Sequence, residues 1–153
     1  MTKDKSTKKA AKSNKGFSDF EKAAMKERVR ELKAEQRMNS DRAAGEKAIL
    51  DRIATMPESD RALAKKVHQI VTTTAPQLLP KTWYGMPAYA NKDGKVVCFF
   101  QDAKKFEARY ATLGFTDMAK LDDGNMWSTG YGLTKITPAE EAKITALVKK
   151  AVS

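Results

Sequence analysis

The spacing of apolar residues changes period twice along this chain. From Met25 to Val71 apolar positions recur at intervals of three and four, which lines one side of a helix. From Trp83 to Leu133 they come in short, partly alternating runs that suit strands, and after Thr137 the helical spacing returns. Ser18-Asp-Phe-Glu21 has the form of a capping box and predicts a helix from Asp19 to about Arg37, with a thin stripe of Met25, Val29 and Leu32 among mixed charges. Asn39-Ser40-Asp41 interrupts that pattern and supplies a fresh N-cap. A second helix is therefore expected from about Arg42 to Thr55, through Ile49, Leu50, Ile53 and Met56, with Gly45 weakening its first turn. Pro57 closes it, and Glu58 or Ser59 opens a third helix to about Thr74, buried through Leu63, Val67, Ile70 and Val71.

Pro76 and Pro80 mark a connection into the strand-like part, which holds eight of the twelve aromatic residues between Trp83 and Phe115. Tyr84 to Ala90 and Lys95 to Gln101 are rich in aromatic and β-branched residues and are joined by Asn91-Lys92-Asp93-Gly94, a hairpin signal. In the second run Val96, Cys98 and Phe100 share one parity and Val97 and Phe99 the other, so that strand is expected to be covered on both sides. Phe106 to Leu113 reads as a third strand with one face partly solvated. Thr116 to Leu121 reads as a short helix, ended by the turn Asp122-Asp123-Gly124-Asn125. From Met126 onward Trp127, Tyr131 and Leu133 alternate with Ser128, Gly130 and Gly132, a fourth strand with one bulky face and one that lets something approach the backbone closely. Thr137-Pro138-Ala139-Glu140 starts a last helix to about Ala151, buried through Ile144, Leu147 and Val148.

These elements predict an α+β fold: an antiparallel four-stranded sheet, about 83–90, 95–101, 106–113 and 126–135, with helices packed on one face and an extra N-terminal helix. The expected divisions are a disordered basic tail at 1–16, a helical extension at 17–44 and the α+β domain at 45–153.

Composition alters this picture mainly through charge. The formal net charge is +10. The first sixteen residues carry +5, residues 17–44 carry +1 and the remainder +4. Half of the excess thus lies in a segment with nothing large to bury. Such a segment is either a solubilising arm or a weak, salt-dependent binder of nucleic acid. No run approaches the length of a membrane span and no apolar leader opens the chain, so a cytoplasmic protein without membrane attachment is expected. One cysteine and one histidine exclude an internal disulfide and a structural zinc site.

Candidate chemistry is sparse. Glu27, Glu31 and Glu35 line up at four-residue spacing, either as ion-pair partners of neighbouring bases or as a carboxylate face for a metal. His68 lies beside the apolar stripe of its helix, a flank residue unless a carboxylate or nucleophile stands near it. Cys98 reads as a small buried hydrophobe with a raised pKa. Asp117, Asp122 and Asp123 form the one carboxylate cluster outside a helix, either a turn or a weak metal site. The aromatic set exceeds what one sheet face needs. Trp83, Tyr84, Tyr89, Phe106, Tyr110 and Trp127 either pack the core or line a ligand cleft on the side away from the helices, with Met86, Lys104, Lys105 and Arg109 at its rim. A cleft of that kind suits a small, flat or anionic ligand. No catalytic residue set is apparent.

The segments Trp-Tyr-Gly-Met-Pro-Ala-Tyr, Gly-Lys-Val-Val-Cys-Phe-Phe and Arg-Tyr-Ala-Thr-Leu-Gly-Phe, with Met-Pro-Glu-Ser-Asp-Arg-Ala-Leu before them, resemble the YdhG-like family of small bacterial domains. The resemblance covers roughly Gly45 to Val152. It implies an α+β sheet with helices on one face. By analogy with one characterised relative it also implies a frataxin-like intracellular iron chaperone, with iron as cargo and an iron–sulfur or haem assembly partner. It carries no ligand residues over. Two readings of function follow: a non-enzymatic domain handling a small ligand or metal, and an accessory protein that binds nucleic acid through its basic tail.

Overall fold

Between Leu79 and Leu133 the chain folds back on itself four times and forms a sheet in which every strand pairs with the ones before and after it. In this computed structural model, which describes residues 18–153, the strands are β1 (Leu79–Trp83), β2 (Met86–Ala90), β3 (Val96–Gln101), β4 (Ala111–Phe115) and β5 (Gly130–Leu133). Their spatial order is the chain order and all pairs are antiparallel. The helices are α1 (Asp19–Ala54), α2 (Glu58–Thr74) and α3 (Pro138–Ala151). The expected tail at 1–16 and the side chains of Glu31 and Glu35 lie outside the described residues.

The α+β class is as expected, but the sheet has five strands, not four. The expected strand 83–90 is a hairpin. Tyr84 and Gly85 both have positive φ, 52° and 74°, and Trp83 pairs with Met86 across them, the signature of a type I′ turn. Pro80 sits in β1, at the sheet edge where a missing N–H is tolerated. The third strand begins later than expected, at Ala111, because residues 102–110 are held as a loop. The fourth is confined to Gly130–Leu133, and 116–121 forms turns in place of a short helix, with Ala119 N–H donating to Thr116 C=O. The Asn91–Gly94 turn forms as read, the Asn91 side chain accepting from the amides of Asp93 and Lys95.

The break expected at Asn39-Ser40-Asp41 is absent. One helix runs from Asp19 to Ala54, since these residues each cost a helix only about half a kcal/mol against alanine and propagation is cooperative. By its contacts the chain divides at that point into two units, Met1–Ser40 and Asp41–Ser153. In the first, the Ser18–Glu21 capping box forms, and Phe20, Met25, Val29 and Leu32 are exposed.

In the second unit Ile49 and Ile53 of α1, Val67 and Val71 of α2 and Ile144 and Val148 of α3 share one buried core with Tyr89, Cys98, Phe100, Leu113 and Leu133 of the sheet. A bulge in β3 helps. Tyr89 lies opposite Cys98 and Ala90 opposite Val96, so Val97 is the extra residue, and it joins the same core. Gly45 permits α1 to reach the sheet, because a side-chain carbon there would lie 1.9 Å from the Pro80 carbonyl oxygen. The α3 start carries the Thr137–Glu140 capping box read from sequence, and these bonds hold the Glu140 carboxyl below its usual pKa.

Candidate ligand-binding face

Strand alternation assigns each side chain to a face. Tyr89, Cys98, Phe100, Leu113, Phe115 and Leu133 turn toward the helices; Lys81, Trp83, Met86, Ala88, Phe99, Thr112, Gly114, Gly130 and Gly132 turn away. The second set is small in its middle and aromatic around it. Phe99 pairs with Gly114, and a side-chain carbon built on that glycine would lie 2.3 Å from Phe99 Cζ and 2.7 Å from both Cε1 and Cε2. The two flanking carbons are equally far and hardly farther than the central one, as for a carbon standing above a ring and not beyond its tip, so the ring lies face-on over the glycine backbone. The same holds one strand further on. A carbon on Gly132 would lie 2.9 Å from both Cδ1 and Cε1 of Tyr110 and only 3.5 Å from its Cζ, closer than an edge-on ring allows, so this ring lies nearly face-on over β5. The close approach expected at the small face of this strand is made by Tyr110.

Trp83 extends this surface. Its ring centroid is 5.3 Å from that of Phe99 and 5.1 Å from that of Tyr84. Beside Trp83 runs a groove of about 370 Å³, lined by Lys81, Lys95, Val96, Thr116 and Asp117 among others. Its charged lining is two cations and one carboxylate.

The loop 102–110 supplies the other cations and is fixed from beneath. Asp60, in the first turn of α2, accepts the backbone N–H groups of Ala103 and Lys104. Asp102, only 1% exposed, takes both oxygens to Arg52 Nη2 at 3.0 Å, while Arg52 Nε donates to Gly85 C=O at 2.8 Å. One arginine thus ties the β1–β2 turn to the loop. From that base the exposed side chains spread over the aromatic ones: Lys105 Nζ donates to Tyr84 C=O and lies 5.4 Å from the Phe106 ring centre, and the Arg109 guanidinium lies 5.0 Å from that of Tyr110.

Of the residues read as a cleft, the structure brings Trp83, Tyr84 and Met86 together, with Met86 buried beneath rather than at a rim. Phe106, Arg109 and Tyr110 lie on the loop, and Trp127 is exposed on the segment leading into β5. Tyr89 is not on this face. It is 1% exposed on the helix side, and its hydroxyl is 2.8 Å from His68 Nδ1, whose Nε2 is 2.8 and 3.0 Å from the Glu46 carboxylate. His68 is thus a buried partner of two groups and not a flank residue. Burial pushes the Tyr89 hydroxyl well above its ordinary pKa, with the Cys98 and Glu46 charges adding to the effect, and pushes the Cys98 thiol to about 12. Sequence gave no sign of this chain of contacts, because Glu46 sits 22 positions from His68 on a different helix.

Asp117, Asp122 and Asp123 are exposed, and among the described residues no group of three or more His, Cys, Asp or Glu side chains is placed to hold a metal ion. Phe99, Lys81 and Lys95 were missed as site residues. The parity of Phe99, opposite to its neighbours Cys98 and Phe100, was the signal that could have found the first. No family model, no curated protein and no solved structure matches this chain.

Proposed function

We propose that this chain is a non-enzymatic binding domain that takes a flat, anionic ligand on the sheet face turned away from the helices. The observation that carries the reading is the pair of rings, Phe99 and Tyr110, lying face-on over glycine backbone, with Arg109 beside the Tyr110 ring and Lys105 at the Tyr84 carbonyl next to Trp83. Rings pinned flat on a sheet lose little freedom when a second flat group stacks on them, and cations at their margin complement an anion attached to it. Binding is favoured over turnover because the acid–base chain Glu46–His68–Tyr89 is directed into the core, on the opposite side of the sheet. Iron handling, which the family resemblance implies, has no comparable set of residues behind it among the described residues.

The test uses a nucleoside monophosphate as probe and the fluorescence of Trp83, isolated by Trp127→Phe. Saturable quenching is expected, weakened about tenfold in the double variant Lys105→Ala/Arg109→Ala through loss of two charge contacts. A fluorescence signal unchanged at millimolar nucleotide, or quenching indifferent to both cations, overturns the reading.

A further inference from the structure

Resting on that reading, we infer that the ligand is a single-stranded nucleic acid, with successive bases stacked on Phe99 and Tyr110 and its backbone drawn along Lys105 and Arg109. The argument is geometric. The Phe99 ring lies over Gly114 of β4 and the Tyr110 ring over Gly132 of β5, and Gly132 pairs with Thr112, two residues along β4 from Gly114. One strand across and two residues along separates the two glycines by roughly 8 Å. Because both rings lie parallel to the sheet, they do not face each other and cannot close on the two sides of one base. They present two platforms side by side, each able to take a base on its outer face, at a separation that two nucleotides of an unstacked strand can span. A mononucleotide would use one platform and leave the other bare.

The surroundings favour a chain of nucleotides over a single one. Cations flank the aromatic rings: Lys81 and Lys95 in the groove beside Trp83, and on the 102–110 loop Lys104, Lys105 at the Tyr84 carbonyl and Arg109 beside the Tyr110 ring. The acidic groups among them are Asp117 in that groove and Glu107 in that loop. Such a set of cations tracks a repeating anion, and aromatic stacking is indifferent to base identity, the combination used to hold single strands without sequence readout. The Arg109 guanidinium lies 5.0 Å from the centre of the Tyr110 ring, where it can stack with an arriving base or turn to its phosphate.

The experiment compares a ten-nucleotide single-stranded oligothymidylate, the same sequence as a duplex with its complement, and thymidine monophosphate, using the full chain with Trp127→Phe and Trp83 fluorescence. Phe99→Leu and Tyr110→Leu keep an apolar cover over each glycine while removing the π face, and circular dichroism checks that both fold. Expected are binding of the oligomer at least tenfold tighter than the monophosphate, preference over duplex, and about a tenfold loss for each leucine variant. Equal affinity for oligomer and monophosphate overturns this inference and leaves the binding face standing; failure of both removes the face as well. Oligomer affinity that ignores both leucine variants but falls on deletion of residues 2–16 assigns the binding to the lysine-rich segment and likewise overturns the inference.

Discussion

Glycine positions decide what this sheet can carry. A helix with alanine in place of Gly45 would gain about 1 kcal/mol by propensity alone. The new methyl group would meet the Pro80 carbonyl, a backbone atom that cannot swing aside. Overpacking of that sort costs about 1–3 kcal/mol, so Gly45→Ala is expected to lower the urea midpoint. A rise would mean that α1 does not press on β1. Gly114 is a contrasting case, since what fills its space is the Phe99 ring, itself part of the proposed face. The sequence showed these glycines only as local weakness in a helix or strand. Their reason lies in a partner 35 positions away for Gly45 and 15 for Gly114, which no local pattern displays.

At the scale of elements, what was legible followed from local chemistry. Both capping boxes, the α2 and α3 spans, the Asn91–Gly94 turn and the buried β3 could be read because the residues that define them are neighbours in sequence. The β1–β2 hairpin was hidden because its turn is Tyr-Gly, without the Asn or Asp that usually announces positive φ at the first central position. Tyr84 is held at φ 52° and the residue is 77% exposed, so the strain is not repaid by burial. Tyr84→Asn is therefore expected to raise stability by about 0.5 kcal/mol and Tyr84→Val to lower it by about 1–3 kcal/mol, read from chemical denaturation. If both lower it equally, the ring contact with Trp83 outweighs the turn. Continuity of α1 through Asn39-Ser40-Asp41 is hidden for the converse reason: these residues can cap a helix but also fit inside one at small cost, whereas Pro forces a break. The candidate site was half legible. The aromatic residues could be listed, but their faces could not be assigned without the register, and Tyr89 fell on the wrong side.

For the whole molecule, two buried acids govern the response to alkali. Cys98 titrates at about 12 in the fold against about 8.5 for a free thiol, and Tyr89 is raised in the same sense. Below the free-thiol value both states keep the proton and nothing is lost. Above it the unfolded chain releases the proton while the fold retains it, so stability falls by roughly 1.4 kcal/mol per pH unit for Cys98 up to about pH 12. Urea midpoints are expected to hold level to about pH 8 and then decline, with a shallower decline in Cys98→Ala; equal slopes would show that the thiol is not buried as described. The meander order of the strands carries a different consequence. Each strand meets its neighbour in the chain, after two residues at the tightest and fourteen at the widest, so assembly proceeds by successive closures between consecutive strands and little entropy is spent on bringing remote segments together. A nascent chain emerging from synthesis would zip the sheet one hairpin at a time, and the glycine-bearing strands that seat the rings would be the last to be added.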